Sequence, residues 1–456
     1  MATLVIDARG GGPPAGGPDP TPPAPPTHPP TPPLPHAPPT PPAPRALSGI
    51  GRYTQNLVHG LEALDHNHQI AELWPGPIQI WVAPPDRQTT PPGTAAPPPP
   101  TSGHPGGAIE RVEVAGAMGR PAELLWRGRR RLRAAARAAA DAERRTVVLH
   151  TPDTWSPIAW GPAPRLAGGR GLRRVVTVHD VIPLVCRDML GRSRKARHAW
   201  AWRAWCRQQV RQAAAVITVS QASKRDLVRE LGVAEGRVTV VYNGVGSAVS
   251  TEGPAGAGGE PGGGRADAAA GPYVLYVGRR DPYKNVAGLV RAFATLRERD
   301  AARWDAWRLV VVGEADARYP EAEREARRRG LGGAVHFAGH VSETELARWY
   351  AGAGMLVMPS FYEGFGLPVV EAMAAGTAVV SSDAAALPEV VGDAGVLFDP
   401  ADPGAMAAAM ARVAEDPALT AELVRRGRAR ARRFGIEAMA RGHLAVYRAA
   451  AQHGGS

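Results

Sequence analysis

Twice along this 456-residue chain, short apolar runs rich in β-branched residues alternate with helical patterns, and a glycine-rich stretch at 247–272 separates the two series. Alternation of that kind builds βαβ units, and so parallel sheets with helices on their faces. Before the glycine-rich stretch, strands fit residues 3–7, Val147–His150, Val175–His179, Val216–Val219 and Val238–Val241, and a helix fits Ala222–Leu231. After it, strands fit Tyr273–Val277, Leu309–Val312, Val335–Ala338, Met355–Met358, Ala378–Ser381 and Val396–Phe398. Helices fit Val286–Leu296, Glu321–Arg329, Glu343–Ala351, Leu367–Ala375 and Pro403–Ala414. The predicted fold is α/β: two Rossmann-like, doubly wound domains facing one another across a cleft, with the glycine-rich segment as a flexible linker.

The 46 prolines and 53 glycines are clustered. Residues 10–44 and 84–107 are low-complexity, Pro-rich insertions that cannot bury enough apolar surface to order themselves. The expected organisation is a first domain at 1–246 carrying both insertions, a linker at 247–272, a second domain at 273–434, and a terminal helix and tail at 435–456. Two cysteines, Cys186 and Cys206, supply neither a disulfide framework nor a metal-ligand spacing, and suit a reducing cytoplasm. The first residues read as a strand, with no signal-peptide pattern. The apolar stretch Leu367–Leu387 is interrupted by Glu371, Gly376 and Asp383 and does not read as a membrane span. The formal charge of +12 admits anionic substrates, an anionic membrane surface or nucleic acid as partners.

In open parallel sheets, ligands bind outside the carboxyl ends of strands, and four motifs stand there. In Gly278-Arg279-Arg280-Asp281-Pro282-Tyr283-Lys284-Asn285, Gly278 allows a tight strand exit, and Arg279 and Lys284 precede a helix N-terminus; together these suit a diphosphate, or alternatively form a solvated basic loop. In Glu363-Gly364-Phe365-Gly366-Leu367-Pro368-Val369-Val370-Glu371, two glutamates lie eight apart across a glycine-rich turn. Glu371 falls among apolar residues, where a carboxylate needs partners that ribose hydroxyls would supply; Glu363 is placed to accept from sugar hydroxyls. The competing reading is a capping or ion-paired Glu371 and a solvated Glu363. His179-Asp180-Val181-Ile182-Pro183 puts an imidazole at a strand end, where it can donate to a phosphate or hydroxyl. Gly49-Ile50-Gly51-Arg52-Tyr53 opens a helix with two glycines, so that backbone can approach a ligand closely. Ser220, Ser223 and Asp226, and the segment Tyr242-Asn243-Gly244-Val245, also follow strands, with helix capping an equally good account of the serines. There is no Asp-x-Asp metal motif, no P-loop and no Gly-x-Ser-x-Gly elbow.

Together these motifs resemble glycosyltransferase family 4, the glycosyl transferases group 1, from about Gly49 to Tyr447, and within it the bacterial mannosyltransferase-like branch. The resemblance implies the GT-B architecture, with a C-terminal helix crossing back to the first domain, for which Glu437–Ala450 is suited. It implies that Arg279 and Lys284 hold the diphosphate, that Glu371 holds the ribose, and that Glu363 contacts the donor sugar. The same resemblance implies that His179 lies beside the sugar, with Asp180 supporting it or facing the acceptor. It further implies that Gly49, Gly51 and Gly278 admit the donor, as do Gly364, Phe365, Gly366 and Leu367 around the turn. Glu389 fits a further motif of the family and receives no role. The implied chemistry is retaining transfer of a hexose from a nucleoside-diphosphate sugar to a glycan or lipid-linked saccharide. GDP-mannose is the first expectation and a UDP-sugar the second, with no metal and no further cofactor.

A basic segment at 192–211 carries Trp200, Trp202 and Trp205. It reads either as an interfacial helix on an anionic membrane, consistent with a peripheral place on the inner face of the cell membrane, or as a helix with tryptophan core anchors and a solvated arginine face. Other functions on the same residues are a nucleotide-sugar epimerase, a phosphorylase, or a non-enzymatic basic protein that binds lipid or nucleic acid, although no motif for specific nucleic-acid recognition is present.

Overall fold

The computed structural model describes residues 2–7, 49–67, 69–73, 78–82, 109–113, 146–152, 172–191, 193–246 and 271–452. The two Pro-rich insertions and the linker from 247 to 270 lie outside the described residues. The first sheet contains β1 (Ala2–Asp7), β2 (Ile78–Val82), β3 (Ile109–Glu113), β4 (Thr146–Thr151), β5 (Leu172–Thr177), β6 (Ala215–Thr218) and β7 (Val238–Val240). The second contains β8 (Tyr273–Val277), β9 (Arg308–Val312), β10 (Val335–Gly339), β11 (Met355–Met358), β12 (Val379–Ser382) and β13 (Gly395–Phe398).

Both sheets are wholly parallel, in the orders β3-β2-β1-β4-β5-β6-β7 and β10-β9-β8-β11-β12-β13. Each starts in the middle, builds one way for three strands, then crosses to the other side. The reversal opens a crevice between β1 and β4 in the first sheet, and between β8 and β11 in the second. β11 is buried at all four positions and β8 at its first four, as strands covered on both faces must be.

The helices named below are α1 (Gly49–His66), α2 (Ala199–Gln212), α3 (Gln221–Leu231), α4 (Val286–Arg299), α5 (Glu321–Arg328), α6 (Glu343–Gly352), α7 (Leu367–Ala375), α8 (Leu387–Val391), α9 (Pro403–Glu415), α10 (Pro417–Ala431) and α11 (Ile436–Gln452). Their ends follow local chemistry. Ser342 and Glu345 form a reciprocal capping box on α6, and Asp402 and Asp416 accept backbone N–H groups at the starts of α9 and α10. Pro368 sits in the first turn of α7, and Gly376 closes that helix at φ 82°.

α11 returns to the first sheet, as expected of the terminal helix. It packs along α1, where any side chain in place of Gly60 would collide with the Ile436 carbonyl. The Val245 N–H donates to the Phe434 carbonyl at 2.7 Å as the chain enters the helix.

Several elements differ from the sequence reading. β5 ends at Thr177, so His179 stands in the loop beyond the strand expected to contain it; the last rung is the Val178 N–H donating to the Ile217 carbonyl at 2.9 Å. β2, β3, α8 and α10 were not expected. Pro-rich flanks mask β2 and β3, α8 is a single turn, and arginines interrupt the apolar stripe of α10.

Candidate functional site

The loop after β8 runs Gly278–Asn285, and the loop after β11 runs Pro359–Gly366. They leave the two strands that flank the crevice of the second sheet. Gly278 adopts φ 148°, and a Cβ there would lie 2.9 Å from the Tyr276 hydroxyl. That hydroxyl donates to the Arg279 carbonyl at 2.6 Å, which pins the loop. Pro282–Lys284 form one 3₁₀ turn, and Asn285, at φ 56°, turns the chain into α4.

A buried ion pair joins the two loops. Lys284 Nζ lies 2.7 Å from both Glu363 oxygens, and the Ser360 hydroxyl donates to the same carboxylate at 2.7 Å. Glu363 is only 7% exposed, so the reading of it as a solvated carboxylate is overturned. Burial comes at a desolvation cost, which the lysine and serine offset. Arg279 behaves differently. It is solvent-accessible and splits its guanidinium between Asp281 (2.9 Å) and Asp316 (3.1 Å). Three carboxylates act on one phenol: burial, then Glu363, Asp281 and Asp180, hold the Tyr283 hydroxyl well above its usual pKa, so it stays neutral.

Glu371, 3% exposed, lies in α7 one turn beyond the glycine-rich loop. The carboxylate accepts from Arg52 Nη1 and from the Tyr350 hydroxyl, both at 2.6 Å. The ion pair that the competing reading expected of Glu371 is therefore present, with Arg52 as its partner. Arg52 comes from α1, across the cleft, and also reaches Glu343 at 3.0 Å. Burial opposes its charge, but Glu371 and Glu343 outweigh burial and raise its pKa. Gly49 and Gly51 form the first turn of the same helix.

The first sheet brings His179 to this place. Its Nε2 lies 2.8 Å from the Pro152 carbonyl; a carbonyl only accepts, so Nε2 carries the hydrogen. The rings of Tyr53 and His179 meet edge to face, with centroids 4.5 Å apart at 88°. The Asp180 carboxylate accepts from the Ile182 N–H at 3.0 Å and so supports the turn that holds the histidine. A Cβ added to Gly364 would lie 2.7 Å from the His179 carbonyl and 3.1 Å from Asp180 Cβ. Only glycine lets the Glu363-Gly364 backbone lie directly against the His179-Asp180 loop. Gly366, at φ 101°, makes the reversal into α7, and Leu367 is its first helical residue. The Phe365 ring is buried against Tyr242 and Phe434, with centroids at 6.1 and 5.5 Å.

Behind His179 lies a buried polar network. Tyr53 OH bridges Thr177 (2.9 Å) and His443 Nε2 (2.6 Å), and His150 joins Thr177 (2.8 Å) to Tyr447 OH (2.8 Å). Burial lowers the pKa of His150 well below its ordinary value and that of His443 to about 4, so both are neutral. Two residues of this network belong to α11, which links the crossing helix to the wall of the site.

The sequence-predicted residues thus separate into two groups. Lys284, Glu363, Gly364, His179 and Asp180 meet at the mouth of the two crevices, with Arg279 on the exposed side and Glu371 one helical turn away. Arg52, Tyr350, Ser360 and Tyr53 were not assigned from sequence, although Arg52 and Tyr53 stand inside the Gly-x-Gly-Arg-Tyr motif that drew attention. On the basic segment, Trp202 is buried and Trp205 packs against the same core, whereas Trp200 on α2 is 76% exposed. The core-anchor reading therefore holds for two of the three tryptophans. Among the described residues, no helix is long and apolar enough to cross a membrane.

Two doubly wound sheets whose crevices oppose one another, with charged loops of the second against the histidine loop of the first, define the GT-B architecture. Two family profiles match the chain: Glycosyltransferase Family 4 over residues 47–248 and Glycosyl transferases group 1 over residues 271–416. The chain belongs to this family of glycosyltransferases. It is similar to O-antigen chain mannosyltransferase B of Escherichia coli, 38% identical over 169 residues, covering 36% of this chain and 42% of that protein. It is also similar to the MMP alpha-(1->4)-mannosyltransferase of Mycolicibacterium hassiacum, 35% identical over 243 residues, covering 52% and 54% of the two. The chain spans about half the length of the curated relatives it matches. Among solved structures, sucrose-phosphate synthase from Thermosynechococcus elongatus superposes with a TM-score of 0.63 at 21% identity, covering 98% of each chain.

Proposed function

We propose that this protein transfers a hexose, with mannose the favoured sugar, from a nucleoside-diphosphate donor to a glycan or lipid-linked saccharide, with retention of anomeric configuration. The observation that carries this reading is the Lys284–Glu363 pair lying against His179 and Asp180 at the opposed crevices. A departing nucleoside diphosphate develops negative charge on its phosphate oxygens, and fixed cations in a partly dry cleft stabilise that charge more than water does. Lys284 and Arg279 are those cations. Each is held by carboxylates, so neither needs to search for its position when the donor arrives. Glu363, already oriented by Lys284 and Ser360, is placed to accept from sugar hydroxyls, and Glu371 retains lone pairs for the ribose beside Arg52 and Tyr350. His179 carries its Nε2 proton on the Pro152 carbonyl and lines the sugar side of the cleft. Retaining chemistry by front-face attack asks for no protein nucleophile and no metal.

Mannose is favoured because both relatives described above are named mannosyltransferases, and GDP because the sequence motifs resemble the mannosyltransferase-like branch of the family. A UDP-sugar is the second choice. A membrane-linked acceptor is supported by exposed Trp200 on a helix with basic residues at Arg203, Arg207 and Arg211; sedimentation with anionic but not neutral liposomes is the result expected of it.

The test is incubation with GDP-mannose or UDP-glucose and a mannosyl acceptor, with EDTA present, reading nucleoside diphosphate release and the product's anomeric proton. Acceptor-dependent release with an α-linked product supports retaining transfer. Donor turnover without acceptor, yielding an epimerised sugar nucleotide, favours the epimerase reading instead.

A further inference from the structure

From the contacts along α3 we infer that this helix is the clasp that closes the cleft, and that Ser223 is a positioning residue setting the spacing between His179 and the Glu363-Gly364 loop. The inference rests on the transfer reading for its catalytic consequence, but not for its structural one.

Three contacts lie along the first turns of α3, and each joins the two halves of the molecule. At the N-terminus, the Glu389 carboxylate of α8 accepts from the Gln221 N–H at 2.9 and 3.0 Å and from the Ala222 N–H at 3.3 Å. These are N–H groups that a helix cannot satisfy internally, at the end where its dipole favours an anion. The Tyr242 hydroxyl, also from the first half, donates to the same carboxylate at 2.8 Å. α8 is itself tied down, because Arg430 of α10 donates to the Glu389 carbonyl at 2.7 Å.

Two residues into the helix, the fully buried Ser223 hydroxyl shares its one proton between two carbonyls: His179 at 3.1 Å and Gly364 at 3.2 Å. These are the backbones of the two loops that form the site. One turn further, Asp226 accepts from the Tyr362 hydroxyl at 2.5 Å. Tyr362 precedes Glu363 directly. Positions 223 and 226 are three apart and share a helix face, so a single rigid helix holds His179 on one side and residues 362–364 on the other. The cap is a separate matter: Ser220 accepts from the Ser223 N–H at 3.0 Å, and that bond survives loss of the Ser223 hydroxyl. Ser223→Ala is therefore a clean probe of the bridging proton.

The experiment compares wild type with Ser223→Ala, Tyr362→Phe, Glu389→Ala and the triple variant. Small-angle X-ray scattering is recorded with and without GDP and UDP, and donor KM and kcat are measured separately. The triple variant is expected to have a larger radius of gyration than wild type in the presence of nucleotide, at unchanged helix content by circular dichroism. Ser223→Ala is expected to lower kcat about tenfold while donor KM stays within about twofold, because the donor groups remain and only the approach of the two loops loosens. A triple variant with the wild-type radius, or a Ser223→Ala protein that loses thermal stability but keeps kcat, overturns the inference. The scattering result needs no turnover, so a protein that closes normally but transfers no sugar refutes the transfer reading and leaves the clasp standing.

Discussion

The second sheet sends charge to its carboxyl edge: Arg279, Lys284, Asp281, Asp316 and Glu363 follow β8, β9 and β11, each paired with another. The first sheet, with the same central strand order, sends the His179 imidazole, the Asp180 carboxylate and Ser223 to the equivalent edge, backed by a neutral network of Tyr53, His150, His443 and Tyr447. One fold thus serves two tasks. The charged edge suits a diphosphate, and the edge backed by the neutral network suits a sugar. α11 belongs in sequence to the charged half but packs into the other, so the wall behind His179 depends on both.

Lys284→Ala tests the charged edge and carries the largest expected effect. Transfer falls at least about a hundredfold, and the protein loses about 3 kcal/mol of stability as Glu363 is left buried without its cation. Urea titration and steady-state rates measure the two separately. Unchanged stability would mean that Glu363 finds water or another donor.

Gly364→Ala tests the contact between the edges. The new methyl meets the His179 carbonyl and Asp180, so the cleft cannot close fully: kcat drops about tenfold or more, with overpacking costing about 1–3 kcal/mol. Nucleotide binding is expected to persist, since the charged edge is intact, and calorimetric titration with GDP and UDP reads it.

Tyr447→Phe tests the neutral network alone. His150 Nδ1 loses its partner in a dry interior, at a cost of about 1–3 kcal/mol. Thermal unfolding registers the loss, and nucleotide affinity does not move.

The last effect is the pH dependence of the same network. Burial lowers the pKa of His443 to about 4 and of His150 in the same direction. In the unfolded chain these imidazoles take up protons below about pH 6.5. Stability is therefore complete above about pH 6.5 and falls as pH drops towards 4, by on the order of 1 kcal/mol per pH unit per histidine. Denaturant midpoints at pH 7.5 and 5 measure it, and a shallower slope in His443→Gln assigns the effect.

Much of the charged edge is readable in the sequence because its chemistry is local. Gly278 to Lys284 and Glu363 to Glu371 are continuous segments whose glycines and proline announce tight turns into helices, and the strands before them are short apolar runs with sharp ends. The neutral network is far less legible. Tyr53, Thr177, His150 and His443 are separated by up to 390 positions, and each alone looks like an ordinary core residue. The Arg52–Glu371 pair spans 319 positions, so periodicity showed Glu371 to be buried but not what it met. β2 and β3 are obscured for another reason: Pro-rich segments around them dilute the alternation that marks a strand.

The most direct measurement is thermal unfolding of wild type and Glu371→Ala with GDP, UDP, ADP and dTDP. At about 100 times the dissociation constant a nucleotide adds about 2.7 kcal/mol, visible at roughly 2–4 °C per kcal/mol. A donor cleft requires stabilisation by one of these nucleotides, most strongly by GDP, and its loss in Glu371→Ala. Wild type that responds to none of them, or a response that Glu371→Ala keeps in full, would contradict a nucleotide site at the opposed crevices.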